Sequence, residues 1–265
     1  MKEITIISIE KKPRSKKYNV ITSEDDYTFS EDMIIKYHIF KDKVFTKKEF
    51  DQILEDSVVD EYFNKILNLL SISIKSEYEV RKYISDLEIK NKNKLNKNKK
   101  EDLISRLKEL GYLNDETLVN HLVDYYYRNN KGPLFIKQKL HEKKVEDNLL
   151  NKVNEYYTIE MEKEKIDYII SKEKNDSYTI KKFKLNLINK LLRNGFNSGI
   201  VYRKVEDLEV IDNSESLIEK DFIKVLNKVE KKDKTDYEKK QYVINSLLQK
   251  GYEYNIINNY IKNKL

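Results

Sequence analysis

The groups in this chain that could do chemistry are few. Three histidines, His38, His121 and His141, stand far apart in the sequence, and there is no cysteine. Disulfide frameworks, thiolate zinc sites and cysteine nucleophiles are therefore excluded, and a His-rich metal centre has no cluster to build on. Carboxylates are abundant, at 46 Asp and Glu. With so many, any helix face offers a pair, so pairing alone points to no acid–base site. His141 and Glu142 are adjacent on a predicted helix and project away from each other. His121 falls between Leu118 and Leu122 on a helix flank, and His38, near the Tyr37/Phe40 face, is read as partly buried. No glycine-rich phosphate loop, GxSxG elbow, HExxH helix or calcium loop occurs. The chain reads as a non-enzyme, with no metal and no cofactor.

What remains is cation and aromatic chemistry. Lys and Arg total 52, for a net charge of +6, and Tyr occurs 20 times. The run Tyr125-Tyr126-Tyr127-Arg128 follows Leu118 and Leu122 at helical spacing, so Tyr126 is expected in the core with Tyr125 and Tyr127 flanking it. An exposed Tyr125 beside Arg128 and Lys131 offers base stacking or a protein hot spot; packing between helices is the simpler reading of the same residues. The next helix, predicted over Pro133 to Lys144, carries Lys137, Lys139, Lys143 and Lys144 against Glu142 alone. Ile136 and Leu140 would face inward, leaving Lys137 and Lys144, seven apart, on one exposed stripe. Such a stripe meets phosphates or an acidic protein surface, and a merely solvated face fits the composition equally well. The densest basic run, Lys90 to Lys100, holds a single apolar residue, Leu95, and is read as a mobile loop.

The elements that must position these residues are mostly helices. Five Gly and two Pro in 265 residues are too few for folds built on many tight turns. The first 30 residues differ in kind: Ile4, Ile6 and Ile9, then Tyr18 and Val20, then Tyr27 and Phe29 predict a three-stranded meander. It should dock on a helix over Glu31 to Phe40, through Met33, Ile34, Tyr37 and Phe40. From about residue 50 the pattern is helical and it repeats. Leu191-Leu192 followed by Gly195-Phe196 recurs as Leu247-Leu248 followed by Gly251-Tyr252, an offset of 56, and Leu140 with Val145 is a looser copy.

The expected organisation is a strand-plus-helix module over 1–50 and three-helix repeats over 57–113, 114–158, 159–212 and 213–265, stacked as a helical solenoid. Capping boxes at Ser76/Glu79 and Thr235/Glu238 and a cap at Asn114 start helices. Gly132-Pro133 separates two helices, and Gly195 and Gly251 end theirs in the left-handed conformation. No apolar run is long enough to span a bilayer. The N-terminus carries no export pattern, so a cytoplasmic protein is expected.

In the order of these features the sequence resembles the RecX family of bacterial recombinase regulators, in its long form from low-GC bacteria. The resemblance rests on Ser76-Glu77-Tyr78-Glu79-Val80-Arg81, on Leu107 to Glu116 (LKELGYLNDE), on Arg128, Lys131-Gly132-Pro133, Ile136 and Leu140, and on Leu191 to Phe196, covering roughly residues 57–205. Leu134 and Phe135 stand where the family usually carries basic residues, and Lys144 replaces its usual Gly. The resemblance implies an elongated, curved, mainly α protein and a non-enzymatic modulator of the RecA recombinase. It would lie, as a monomer, in the groove of the filament on single-stranded DNA, and modulate assembly, ATPase, strand exchange and coprotease activity, by inhibition in most family members and by support of filament dynamics in some. The candidate partner-binding set, for filament or DNA, is Arg81, Lys82, Tyr125, Arg128, Lys131, Lys137, Lys139, Lys143 and Lys144. A helical-repeat protein acting directly on DNA or RNA is the alternative.

Overall fold

A computed structural model of the protein describes residues 2–91, 94–231 and 235–262. It divides into two compact units, one of residues 1–118 with 143–145 and one of residues 119–142 with 146–265.

The first unit begins with strands β1 (Glu3–Lys11), β2 (Lys17–Thr22) and β3 (Asp26–Ser30), then helix α1 (Glu31–Lys36) and strand β4 (Val44–Thr46). The sheet is antiparallel in the order β3-β2-β1-β4. The expected three strands are thus four: β4 returns along the start of β1, pairing Phe45 with Ile4. Alternation turns Ile4, Ile6, Val20, Phe29 and Phe45 to one face, where Phe50 and Ile53 cover them.

Two expectations fail at the next step. The helix from Glu31 stops at Lys36 because His38 turns left-handed (φ 49°). The turn sends Ile39 rather than Phe40 into the core and leaves both His38 and Phe40 exposed.

Thr46 then opens helix α2 (Lys47–Ile72) with a full capping box, its amide donating to Glu49 Oε2 at 2.8 Å. The single helix serves two cores. Phe50 and Ile53 lie on the sheet, while Tyr62, Phe63 and Ile66 join Val80, Ile84, Leu103, Ile104 and Leu107 from α3 (Glu77–Asn91) and α4 (Lys97–Glu109).

The Lys/Asn run is not the loop expected. Residues 92 and 93 lie outside the described residues, but Leu95 is buried in the second core, Asn96 caps α4, and Lys97 to Lys100 form its first turn. Acids on neighbouring helices make this possible: Lys99 pairs with Glu55 at 2.7 Å and Lys100 with Glu88 at 2.8 Å. Glu88 also accepts the Leu95 amide.

Helix α5 (Asp115–Arg128), capped by Asn114 Oδ1, leads into the second unit. There α6 (Pro133–Glu142), α7 (Asp147–Asn151), α8 (Val153–Tyr156), α9 (Ile159–Ser171), α10 (Ile180–Arg193), α11 (Ser198–Glu206), α12 (Ser214–Val229), α13 (Asp236–Gln249) and α14 (Tyr254–Lys262) follow. Ile166, Phe183, Leu187, Leu191, Phe196 and Val201 form one core of this unit. Ile218, Phe222, Val243, Leu247, Tyr252 and Ile257 form another. Gly195 and Gly251 are left-handed, at φ 82° and 92°, and end α10 and α13 as the sequence predicts. Among the described residues no helix is long and apolar enough to cross a membrane, and no group of His, Cys, Asp and Glu is placed to hold a metal ion.

Candidate partner-binding surfaces

The candidate residues divide by what already holds them. In the first unit Ser76 and Glu79 close the predicted capping box at the start of α3: the Ser76 amide donates to Glu79 Oε2 at 2.9 Å, and the Glu79 amide to Ser76 Oγ at 3.2 Å. The Ser76 hydroxyl donates its own proton to the Lys143 carbonyl at 2.8 Å. The Lys143 ammonium sits on the Glu79 carboxylate, 2.8 Å from both oxygens. Partial burial pushes Glu79 upward, but Lys143 and the Ser76 amide more than offset it and hold the carboxyl below its ordinary range.

Arg81 is engaged as fully. It forks onto both oxygens of Glu101, at 2.7 and 2.8 Å, and donates to Glu77 at 2.8 Å. The Glu101 bond is the main reason that its protonated form is favoured further. Glu77 also pairs with Lys108. Arg81 and Lys143 are therefore structural cations. Lys82 and Lys144 are exposed and make no ion pair among the described residues.

The stripe expected through Lys137 and Lys144 does not form. Helix α6 ends at Glu142, and Lys144 adopts a left-handed backbone (φ 54°), so the two lysines are not on one helix face. Lys144 occupies the chain position that Gly195 and Gly251 hold after their own helices, which is why its backbone must take that conformation.

In the second unit the aromatic residues set the geometry. Tyr126 is half-buried rather than core, because its ring lies edge-on to Phe135, centroids 5.2 Å apart. Tyr125, 53 % exposed, lies edge-on to Tyr126 at 5.1 Å. Lys131 and Lys139 place their ammonium groups 4.9 and 5.6 Å from the Phe135 centroid, contacts worth about 0.5–1 kcal/mol each at such sites. Lys131 also donates to Asn194 Oδ1 at 2.8 Å. Lys139 pairs with Glu142 at 2.7 Å, which raises the lysine and lowers the acid. Arg128 and Lys137 make no ion pair among the described residues and are the cations of this unit's set left for a partner. Leu134, 53 % exposed, adds an apolar contact beside them in the chain.

Phe135, which stands where the RecX family usually carries a basic residue, is the ring that organises two lysines and a tyrosine. An aromatic four residues from a lysine on either side, the spacing of neighbours on a helix face, could have signalled this.

One backbone device recurs under these side chains. The Ser76 hydroxyl meets the Lys143 carbonyl; Gly132 donates its amide to the Asn194 carbonyl at 2.8 Å; the Thr179 hydroxyl donates to the Lys250 carbonyl at 2.8 Å. In each case the start of one helix takes a free carbonyl from the end of another, satisfying groups that helix ends leave open.

No protein-family model matches the chain. Its full length, however, is similar to curated proteins named regulatory protein RecX. That of Listeria monocytogenes is 28 % identical over 98 % of this chain and 96 % of its own length. That of Oceanobacillus iheyensis is 26 % identical over 100 % and 99 %, and that of Streptococcus agalactiae 28 % over 98 % and 99 %. Among solved structures, the fold is similar to a crystal structure of regulatory protein RecX, with TM-score 0.56, 17 % identity and coverage of 77 % of this chain and 100 % of that one. It is also similar to RecX from Lactobacillus salivarius, with TM-score 0.50, 25 % identity and coverage of 58 % and 97 %. Over its whole length the sequence is thus similar to proteins named regulatory protein RecX, and its helical fold with an N-terminal sheet is similar to their crystal structures.

Proposed function

We propose that this protein is a non-enzymatic regulator of a RecA recombinase, binding as a monomer in the groove of the filament on single-stranded DNA and restraining its assembly, ATPase, strand exchange and coprotease activity. The observation that carries the reading is the end-to-end similarity to regulatory protein RecX, which covers both chains almost completely. Tandem three-helix units over 57–113, 114–158, 159–212 and 213–265 would supply the contact surface, and the cytoplasm the setting. Within the candidate set, Lys82, Lys144, Arg128 and Lys137, with Tyr125, are the residues free to contact filament or DNA. Arg81, Lys131, Lys139 and Lys143 act by holding the helices that present them. The test adds the protein substoichiometrically to RecA assembled on single-stranded DNA and follows ATP hydrolysis and filament length. Both should fall; no change in either, with folded protein, removes the reading.

A second reading, direct binding to DNA or RNA, draws on the ring cluster of Tyr125, Tyr126 and Phe135 beside cations, which suits unstacked bases. Tight, steeply salt-dependent binding to a bare single strand without recombinase would favour it.

A further inference from the structure

The N-terminal module carries an apolar side chain that its own fold displays rather than buries. Phe40 is 54 % exposed, while its neighbour Ile39 is 3 % exposed in the core beneath the sheet. The segment between α1 and β4 is pinned at both ends. The Ile39 amide donates to the Ile34 carbonyl at 3.0 Å, the Asp42 amide to the Ile6 carbonyl at 2.9 Å, and the Ile6 amide to the Lys43 carbonyl at 2.9 Å. Two residues with side chains, His38 (φ 49°) and Asp42 (φ 64°), take left-handed backbone on either side of Phe40. Such conformations persist only where surrounding contacts impose them. The turn between them is closed by the Lys43 amide donating to the Phe40 carbonyl at 3.2 Å. Phe40 is thus held out on a fixed turn.

Its surroundings define what would receive it. The Lys43 ammonium lies 5.5 Å from the Phe40 centroid and 5.6 Å from that of Phe45. Beside them runs an open groove of about 640 Å³, floored by Tyr37, Phe45 and Ile53. Lys41, Lys43 and Lys48 make no ion pair among the described residues, and Glu49 is occupied by the Thr46 cap. Asp42 is the exposed acid of the turn. The unpaired charge around the ring is mainly positive, so carboxylates complement it, and a fixed aromatic with a cationic rim has the character of an interface anchor.

We propose that Phe40 is a preformed docking knob, inserted into an apolar socket rimmed by carboxylates on the protein that this regulator binds. The knob rests on the reading that the binding partner is a recombinase filament, and it adds a contact on the sheet module to those on the helices.

The test measures binding of the full-length protein to RecA filaments on single-stranded DNA by co-sedimentation, with thermal unfolding of each variant alongside. Phe40→Ser should weaken binding at least tenfold with an unchanged melting temperature. The double variant Lys41→Glu/Lys43→Glu should weaken it several-fold and flatten its salt dependence. Ile35→Ser, which removes a still more exposed apolar residue (65 %) from α1, should bind as the parent does. If the parent binds and Phe40→Ser binds equally well, or if Ile35→Ser loses as much as Phe40→Ser, the knob is wrong while the recombinase reading stands. If the parent itself fails to bind, the recombinase reading falls and takes the knob with it.

Discussion

Gly132 and Gly195 pack backbone to backbone: a Cβ built on Gly132 would stand 2.4 Å from the Gly195 carbonyl oxygen. A Cβ on Gly195 would in turn stand 2.3 Å from the Phe135 amide nitrogen. The contact brings the end of α10 onto the start of α6, where the Leu134 amide donates to the Gly195 carbonyl at 3.0 Å. Only residues without side chains allow that approach, so these two glycines do more than punctuate helices.

The same left-handed conformation should therefore cost different amounts at different sites. Gly111 (φ 74°) has nothing within 4 Å of its would-be Cβ, so Gly111→Ala should lose only the left-handed penalty of roughly 1–2 kcal/mol. Gly195→Ala adds a backbone clash of the kind that costs about 1–3 kcal/mol more. Urea unfolding of the two variants side by side should rank them in that order, and equal losses would mean that the α6 contact relaxes freely.

Lys144 carries the opposite expectation. Its left-handed backbone (φ 54°) costs roughly 1–2 kcal/mol with a side chain present, and a glycine would lose about 0.5–1 kcal/mol of that advantage through its freer unfolded chain. Lys144→Gly should thus stabilise the protein by about 0.5–1 kcal/mol, visible as a raised melting temperature. A lowered one would mean that the lysine stem contributes packing that outweighs its backbone.

The candidate cations should separate into two behaviours. Arg81→Ala breaks the fork onto Glu101 and the bond to Glu77; exposed pairs of this kind are worth about 0.2–1 kcal/mol, so stability should fall by that order. Arg128→Glu and Lys137→Glu disturb no ion pair among the described residues and should leave unfolding unchanged while weakening binding to recombinase filaments. Equal binding by the two charge reversals would reduce Arg128 and Lys137 to solvated surface.

Asp56 supplies a pH dependence with a definite sign. Burial pushes its carboxyl up, but hydrogen bonds from Tyr37, Lys36 and Gln52 overcome this and bring it to about 2. A depressed folded-state value means that the contribution is fully present above the unfolded value near 3.8 and is lost as pH falls through about 2. Asp56→Asn should be less stable than the parent at neutral pH, with the gap closing between about pH 4 and pH 2. A gap independent of pH would assign the loss to packing instead.

Much of this architecture was legible because its determinants are local. A capping box joins residues three apart, so Ser76 with Glu79 and Thr235 with Glu238 could be read directly, and both close as expected. Alternation in the first 30 residues located three strands, although β4 at three residues was too short to show a period. The helix ends at Gly195 and Gly251 followed from the conformation that glycine alone takes freely. Arg81 has Glu77 four residues before it, a readable pair, but its stronger partner Glu101 lies on another helix.

What the sequence determined by itself, then, was the helical class, the caps, the repeat of helix ends and the likeness to RecX proteins. Tertiary structure decided which cations are free. Lys143 is neutralised by Glu79, 64 residues away, and Lys99 by Glu55, 44 residues away. Likewise Ile39 rather than Phe40 entered the core, because a left-handed turn at His38 overrode the helical spacing. Local hydrogen bonds are fixed by neighbours along the chain, whereas the fate of a surface charge depends on which helix packing brings opposite it.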